Sequence, residues 1–352
     1  MKMKKLLAVL LVFCMVLSFA ACSKYDTSKK DKSNKTTQTD PTVTDPTQTD
    51  PETSTPDVTD PEDTPPTRDS ITPLLYKVTD GGGNTIWLFG SIHVGEDYFY
   101  PLPDYVTSAY ESADVLAVEV DIVTFQNDLN AQMDSLRQLV YRDGTKISDH
   151  ISEDLYNSAV DALKDLGVYN AALDYYYPVL WQNFIESSLY EQLGFQSDLG
   201  IDLHFLTRAH DEGKKIIEVE SAKFQYGMMA DFSEELQVLL LESAMESYND
   251  AEGTEESFYE LVVAWTEGDE KAFAALLAEA PEFESDEEVA LYKEYNDAMV
   301  VNRNITMTDF AEDALKSGEE VFICVGAAHI VGEGAMAQLL AERGYTVEIV
   351  GK

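Results

Sequence analysis

From residue 73 onward, short apolar runs alternate with longer stretches whose hydrophobic spacing is helical. Residues 74–78 and 85–89 are apolar and β-branched or aromatic. They flank Asp80, three glycines and Asn84, which predicts a hairpin. Pro101-Leu102-Pro103 opens a helix through residue 112, and residues 114–121 read as a short buried strand ending in carboxylates. Residues 125–193 carry helical spacing, broken at 142–144, Gly167 and Pro178. Residues 200–213 predict a helix and a turn, 214–220 a strand ending in acids, and 231–317 a mostly helical, acidic stretch broken near Pro281. A strand at 319–325, a helix at 335–343 stopped by Gly344, and a strand at 345–350 close the chain. Short strands between helices predict an α/β fold. The expected architecture is a central mixed sheet of two pseudo-symmetric halves, flanked by helices, with a helix-rich middle insertion.

The N-terminus follows different rules. Lys2, Lys4 and Lys5 precede an apolar run from Leu6 to Phe19, then Ala20, Ala21 and Cys22. This is the pattern of a secretory signal peptide over residues 1–21. Cysteine directly after small residues resembles a bacterial lipobox, which would make Cys22 the lipidated N-terminus. Ordinary signal cleavage beside an incidental cysteine is the alternative. Residues 22–72 hold almost no large apolar side chains and repeat Thr-Asp-Pro, as at Thr39-Asp40-Pro41 and Thr59-Asp60-Pro61. Such a segment cannot bury enough surface to offset chain entropy, so it predicts a disordered tether with a contour limit of roughly 160 Å. The expected location is the extracellular face of a bacterial membrane, with the folded domain spanning 73–352.

Charge narrows the partners. The formal net charge is −41 over 352 residues, which excludes a nucleic-acid partner on electrostatic grounds. It is compatible with cationic peptides or divalent ions, although a solvated acidic exterior explains much of it. Of the three cysteines, Cys14 leaves with the signal, Cys22 would carry lipid, and Cys324 lies alone in an apolar strand. No disulfide is expected.

The candidate chemistry lies just past the strands. Two segments read alike: an apolar run, then Gly-x-x-His, then another glycine. The first ends in Gly90-Ser91-Ile92-His93 and the second in Gly326-Ala327-Ala328-His329, using two of the five histidines. Glu119 with Asp121, and Glu218 with Glu220, end two further strands, and alternation would put each pair on one face. Two imidazoles with one or two carboxylates form a ligand set for Zn, Mn, Co or Fe with open positions. His93 as a hydrogen-bonded turn residue and the glutamates as helix caps are the plain alternatives. His150, His204 and His210 read as surface or packing residues. His-Glu-x-x-His, Gly-x-Ser-x-Gly and Walker motifs are missing.

Taken in order, the motifs resemble the TraB/PrgY/GumN family, which includes the Tiki proteases. The likeness covers about residues 74–352. It shows in Gly90-Ser91-Ile92-His93, Tyr100-Pro101-Leu102-Pro103, Glu119-Val120-Asp121, Gly200-Ile201-Asp202 and Glu218-Val219-Glu220. It continues through Trp265 to Asp269, Asn302-Arg303-Asn304 and the Gly326 to Gly332 stretch. The resemblance implies a fold related to erythromycin esterases and haem-binding ChaN-type lipoproteins. It also implies a surface-anchored lipoprotein hydrolase, in the form of a metal-dependent peptidase. His93, Glu119, Glu220 and His329 would be metal ligands, and with Arg303 the catalytic set, supported by Asp121 and Asp202. Arg303 would orient a carboxylate or stabilise an oxyanion, or else form a structural salt bridge to Glu119 or Glu220. The divalent metal would be Mn, Co or Zn, and the partner a peptide. A metal-free esterase-like hydrolase remains open. So does sequestration of a secreted peptide or haem-like ligand without turnover.

Overall fold

The computed structural model describes residues 71–279, 283 and 285–351. The expected signal peptide, Cys22 and the tether up to residue 70 lie outside them. Ile71 and Thr72 already belong to the fold: Ile71 is buried, and Thr72 Oγ1 donates to the Glu267 carbonyl at 2.9 Å.

Six strands form one mixed sheet: β1 (Leu75–Thr79), β2 (Thr85–Ser91), β3 (Val115–Val118), β4 (Lys215–Glu218), β5 (Val321–Gly326) and β6 (Thr346–Val350). Their order is β4-β3-β5-β2-β1-β6. The predicted hairpin is β1 against β2, held by Asp80, whose carboxylate accepts from Gly82 and Asn84. β4, β3, β5 and β2 run parallel, and β1 is antiparallel to both its neighbours. The central strands β3 and β5 are buried along their whole length, which fits their continuous apolar runs. Edge strands β4 and β6 are partly exposed.

The helices follow the predicted breaks. α1 (Asp104–Ser112) joins β2 to β3. α2 (Ile122–Asn127), α3 (Leu129–Leu136), α4 (Glu153–Asp165), α5 (Pro178–Gln192) and α6 (Ile201–Glu212) lie between β3 and β4. Pro178 opens α5, where its missing N–H costs nothing. Gly213, at φ 68°, ends α6 in the left-handed conformation that glycine allows.

α7 (Ala222–Ala230), α8 (Glu234–Asn249), α9 (Ala251–Thr266), α10 (Glu270–Ala278), α11 (Asp286–Asn296) and α12 (Asn302–Ser317) fill the space between β4 and β5. A π-helical turn, Asp297–Val301, joins α11 to α12. The short α13 (Ala327–Ile330) and α14 (Met336–Glu342) complete the chain. No helix of the described residues is long and apolar enough to cross a membrane.

Two strands stop earlier than the sequence predicts. β3 ends at Val118 and β4 at Glu218, so side-chain alternation does not extend through Asp121 or Glu220. Asp121 and Glu218 meet each other instead: the Asp121 N–H donates to Glu218 Oε1 at 2.8 Å. The parallel strands end along one edge, the position where open α/β sheets gather binding groups.

Candidate active site

β2 and β5 are paired neighbours, so the two Gly-x-x-His segments lie side by side. Gly90 is opposite Val325 and Ser91 opposite Gly326. The first turn is fastened by Trp265, whose Nε1 donates to the Gly90 carbonyl at 2.8 Å. It also presses on α6: the Ile201 N–H donates to the Ile92 carbonyl, and a Cβ on Gly200 would lie 2.4 Å from the His93 carbonyl oxygen. That close approach explains a glycine just before Asp202.

Each histidine has its Nδ1 tied to an oxygen. His93 Nδ1 is 3.1 Å from Asp202 Oδ2, and His329 Nδ1 is 2.7 Å from Asn304 Oδ1. The Asn304 amide nitrogen is in turn fixed by the Gly334 carbonyl at 3.0 Å. His93 Nε2 and Asp202 Oδ1 are buried without a hydrogen-bond partner. His329 is fully buried, and its Nε2 is 4.0 Å from Glu119 Oε1.

Beside His329 sits a buried charge cluster. Arg303 Nη2 donates to Glu119 Oε2 at 2.5 Å and to Glu220 Oε2 at 2.9 Å, while its Nε donates to Glu220 Oε1 at 2.8 Å. The Gln225 amide bridges the same carboxylates, 3.1 Å from Glu119 Oε2 and 2.9 Å from Glu220 Oε2. The Gly326 N–H caps Glu119 Oε1 at 2.7 Å. Arg303 is 1% exposed, so its charge must be neutralised internally. Two carboxylates do so and leave the cluster one negative charge in excess. The π-helical turn contributes as well, since the Met299 carbonyl accepts from Arg303 Nη1 at 3.2 Å. π-turns often mark functional sites.

The electrostatics separate the two histidines. For His93, burial disfavours the charged ring. The charge and hydrogen bond of Asp202, helped by Glu119, outweigh that effect and the charge of Arg303, raising its pKa to about 9. For His329, burial, the Arg303 charge and the His93 charge hold the pKa well below its ordinary value against Glu220. Burial, then Asp202 and Glu119, push the Cys324 thiol well above its usual range.

The structure thus brings together His93, Asp202, Glu119, Glu220, Arg303 and His329. It does not bring Asp121 to them. That carboxylate caps α2 through Thr124 and pairs with His210 at 2.9 Å. Sequence reasoning gave no role to Gln225 or Asn304. Asn304 adjoins Arg303 and was within sight. Gln225 sits one helical turn beyond Ser221, which caps α7, and only the fold shows that it faces both glutamates.

A divalent cation can be tested against these donors. A buried, unpartnered His93 Nε2 with a carboxylate behind Nδ1, and a second histidine oriented by Asn304, have the outer-sphere arrangement of metal-binding imidazoles. Both oxygens of Glu220 are held by Arg303 or Gln225, and so is Glu119 Oε2, whereas Glu119 Oε1 accepts only the Gly326 N–H and keeps a lone pair near His329 Nε2. The donor atoms left for a cation are His93 Nε2, His329 Nε2 and Glu119 Oε1, which would have to draw together to hold it. No group of three or more His, Cys, Asp and Glu side chains among the described residues is drawn into metal-holding geometry.

Relatives match most of the chain. Over 269 residues the chain is 25% identical to the uncharacterized protein YbaP of Escherichia coli (strain K12), covering 75% of this chain and 90% of YbaP. The same figures hold for YbaP of Shigella flexneri. No solved structure matches the chain. The TraB/PrgY/gumN family model matches residues 74–349. That span runs from the start of the hairpin to the last strand and contains every member of the cluster, so the chain belongs to the TraB/PrgY/gumN family.

Proposed function

We propose that this protein is a peptide-bond hydrolase whose working groups are the Nε2 atoms of His93 and His329. One observation carries the reading: both imidazoles are oriented through Nδ1, and His93 Nε2 is buried with no partner of its own. A buried polar atom costs free energy unless function or a ligand uses it. Asp202 fixes the His93 ring, Asn304 fixes the His329 ring, and Arg303 with Gln225 holds Glu119 so that Oε1 is the oxygen nearest His329. A substrate carbonyl entering between the two Nε2 atoms would meet groups able to take up and return a proton.

In its metal-dependent form, His93, His329 and Glu119 would hold a divalent Mn, Co or Zn ion, which would polarise the carbonyl and acidify a bound water. A metal-free form is favoured by one feature, the Asp202–His93 pair, in which the carboxylate orients a protonated ring able to donate as a general acid. The same reading has the enzyme on the extracellular face of a bacterial membrane, anchored through lipid on Cys22. Support for that location is the basic start, the apolar run and Ala20-Ala21 before Cys22.

The experiment is peptide hydrolysis by the purified protein with chelator, with each added metal, and with His93→Ala and His329→Ala. Loss of turnover in both variants is expected. Dependence on metal separates the two forms; turnover indifferent to chelator and to both substitutions removes the two histidines as working groups, and absence of turnover removes the hydrolase reading.

A further inference from the structure

A cleft of about 710 Å³ opens on the helical side of the cluster, with Arg303 in its wall. Its size is that of a small-ligand or side-chain pocket. Its walls come from the turn at Gln138, α7 with Asp231 and Phe232 just after it, Glu294 near the end of α11, and the π-turn leading into α12. The π-turn brings both Ala298 and Arg303 to this cleft, so the irregularity that positions the arginine also shapes the wall.

The lining has two chemical parts. Phe224, Met228 and Phe232 give an apolar patch, and Phe224 stays 50% exposed. Phe224 thereby leaves apolar surface in the cleft for a ligand to cover. The second part is acidic. Asp231 stands exposed in the wall, Glu294 stands there with both oxygens accepting from Ser233, and the Arg303 charge is paired to Glu119 and Glu220. Lys223 is the other lining cation. Counting the two glutamates behind Arg303, the walls are negative in sum. The strongly acidic chain strengthens that field.

We propose that this cleft is the substrate-recognition pocket for an extended peptide carrying an apolar side chain next to a basic one. The apolar side chain lies on Phe224, Met228 and Phe232, and the basic one faces the exposed Asp231, with the Glu294 charge behind it. The proposal rests on the hydrolase reading for the fate of the bound peptide, but binding itself can be measured apart from turnover. Charge selects and orients the peptide, and apolar contact supplies the affinity.

The test uses two fluorescein-labelled peptides, Ala-Ala-Phe-Lys-Ala-Ala and Ala-Ala-Phe-Glu-Ala-Ala, titrated by anisotropy against the His93→Ala protein. The lysine peptide is expected to bind about tenfold more tightly at low salt, with the gap closing as salt screens it. Both Asp231→Lys and Phe224→Ser change exposed positions and should leave the fold intact. On the His93→Ala background, the first should abolish or reverse the charge preference, and the second should weaken both peptides. Equal binding of the two peptides, or indifference to Asp231→Lys and Phe224→Ser, overturns the proposal. Selective binding without turnover in the unsubstituted protein removes the hydrolase reading and leaves the pocket standing. Turnover without selectivity does the reverse.

Discussion

Gly90 lacks a Cβ where Ala327 fills the space. A Cβ built on Gly90 would lie 2.8 Å from Ala327 Cα and 2.9 Å from its Cβ. The glycine of the first Gly-x-x-His segment therefore makes room for the residue just after the glycine of the second. The two motifs need each other's backbone as much as each other's imidazole.

Gly90→Ala is accordingly expected to separate β2 from α13. The obstacle is partly backbone and cannot rotate away, and overpacking of this kind costs about 1–3 kcal/mol. Urea unfolding should show that loss. Turnover should fall further than stability alone explains, because His93 and His329 would move apart. A variant with wild-type stability and wild-type turnover would contradict the close packing.

Arg303→Met is expected to be more damaging. It leaves Glu119 and Glu220, both buried, without their cation. Removing one partner from a buried ion cluster costs about 3–5 kcal/mol. Adding Glu119→Gln and Glu220→Gln to Arg303→Met removes the stranded charges and should recover part of that stability. If the triple variant were no more stable than the single one, the charge argument would fail, and packing alone would explain the loss.

Asn304→Leu tests orientation. Asn304 Oδ1 accepts from His329 Nδ1, which keeps the proton there and leaves Nε2 as the acceptor. Outer-sphere partners of this kind are worth about 10–100-fold in activity or metal affinity. The expected result is a drop of that size in kcat with little change in KM. Partial rescue by Asn304→Gln would favour orientation over a purely structural role.

These residues also mark what the sequence could and could not convey. The hairpin, the buried strands and the helix stops at Gly213 and Gly344 arise from local pattern and turn chemistry, and they were legible. The echo between His93 and His329 was legible too, as was the involvement of Arg303. Three things were not. The early ends of β3 and β4 depend on pairing partners far along the chain, so Asp121 was grouped with Glu119 when it belongs with Glu218 and His210. The bridging by Gln225 spans two glutamates that lie just past different strands and has no local signal. The π-turn at Asp297–Val301 sits inside a stretch whose apolar spacing reads as an ordinary helix.

The last prediction concerns pH. With its pKa raised to about 9 in the fold against 6.5 for an ordinary imidazole, His93 binds its proton more tightly in the native state than in the unfolded chain. Its contribution to stability is therefore complete below pH 6.5 and is lost as pH rises through about 9. Asp202 is the group that raises the pKa, through charge and a hydrogen bond. Asp202→Asn keeps an oxygen near Nδ1 but removes the charge, so burial should then pull the His93 pKa down. Thermal unfolding monitored from about pH 6 to about pH 10, with chelator present, should show the native protein losing stability from about pH 6.5 to about pH 9 and levelling off above. The Asp202→Asn protein should start less stable at the acid end and stay nearly flat over the same interval. Parallel curves for the two proteins would mean that Asp202 does not set the charge of His93, and the Asp202–His93 pair would lose its role in orienting the working nitrogen.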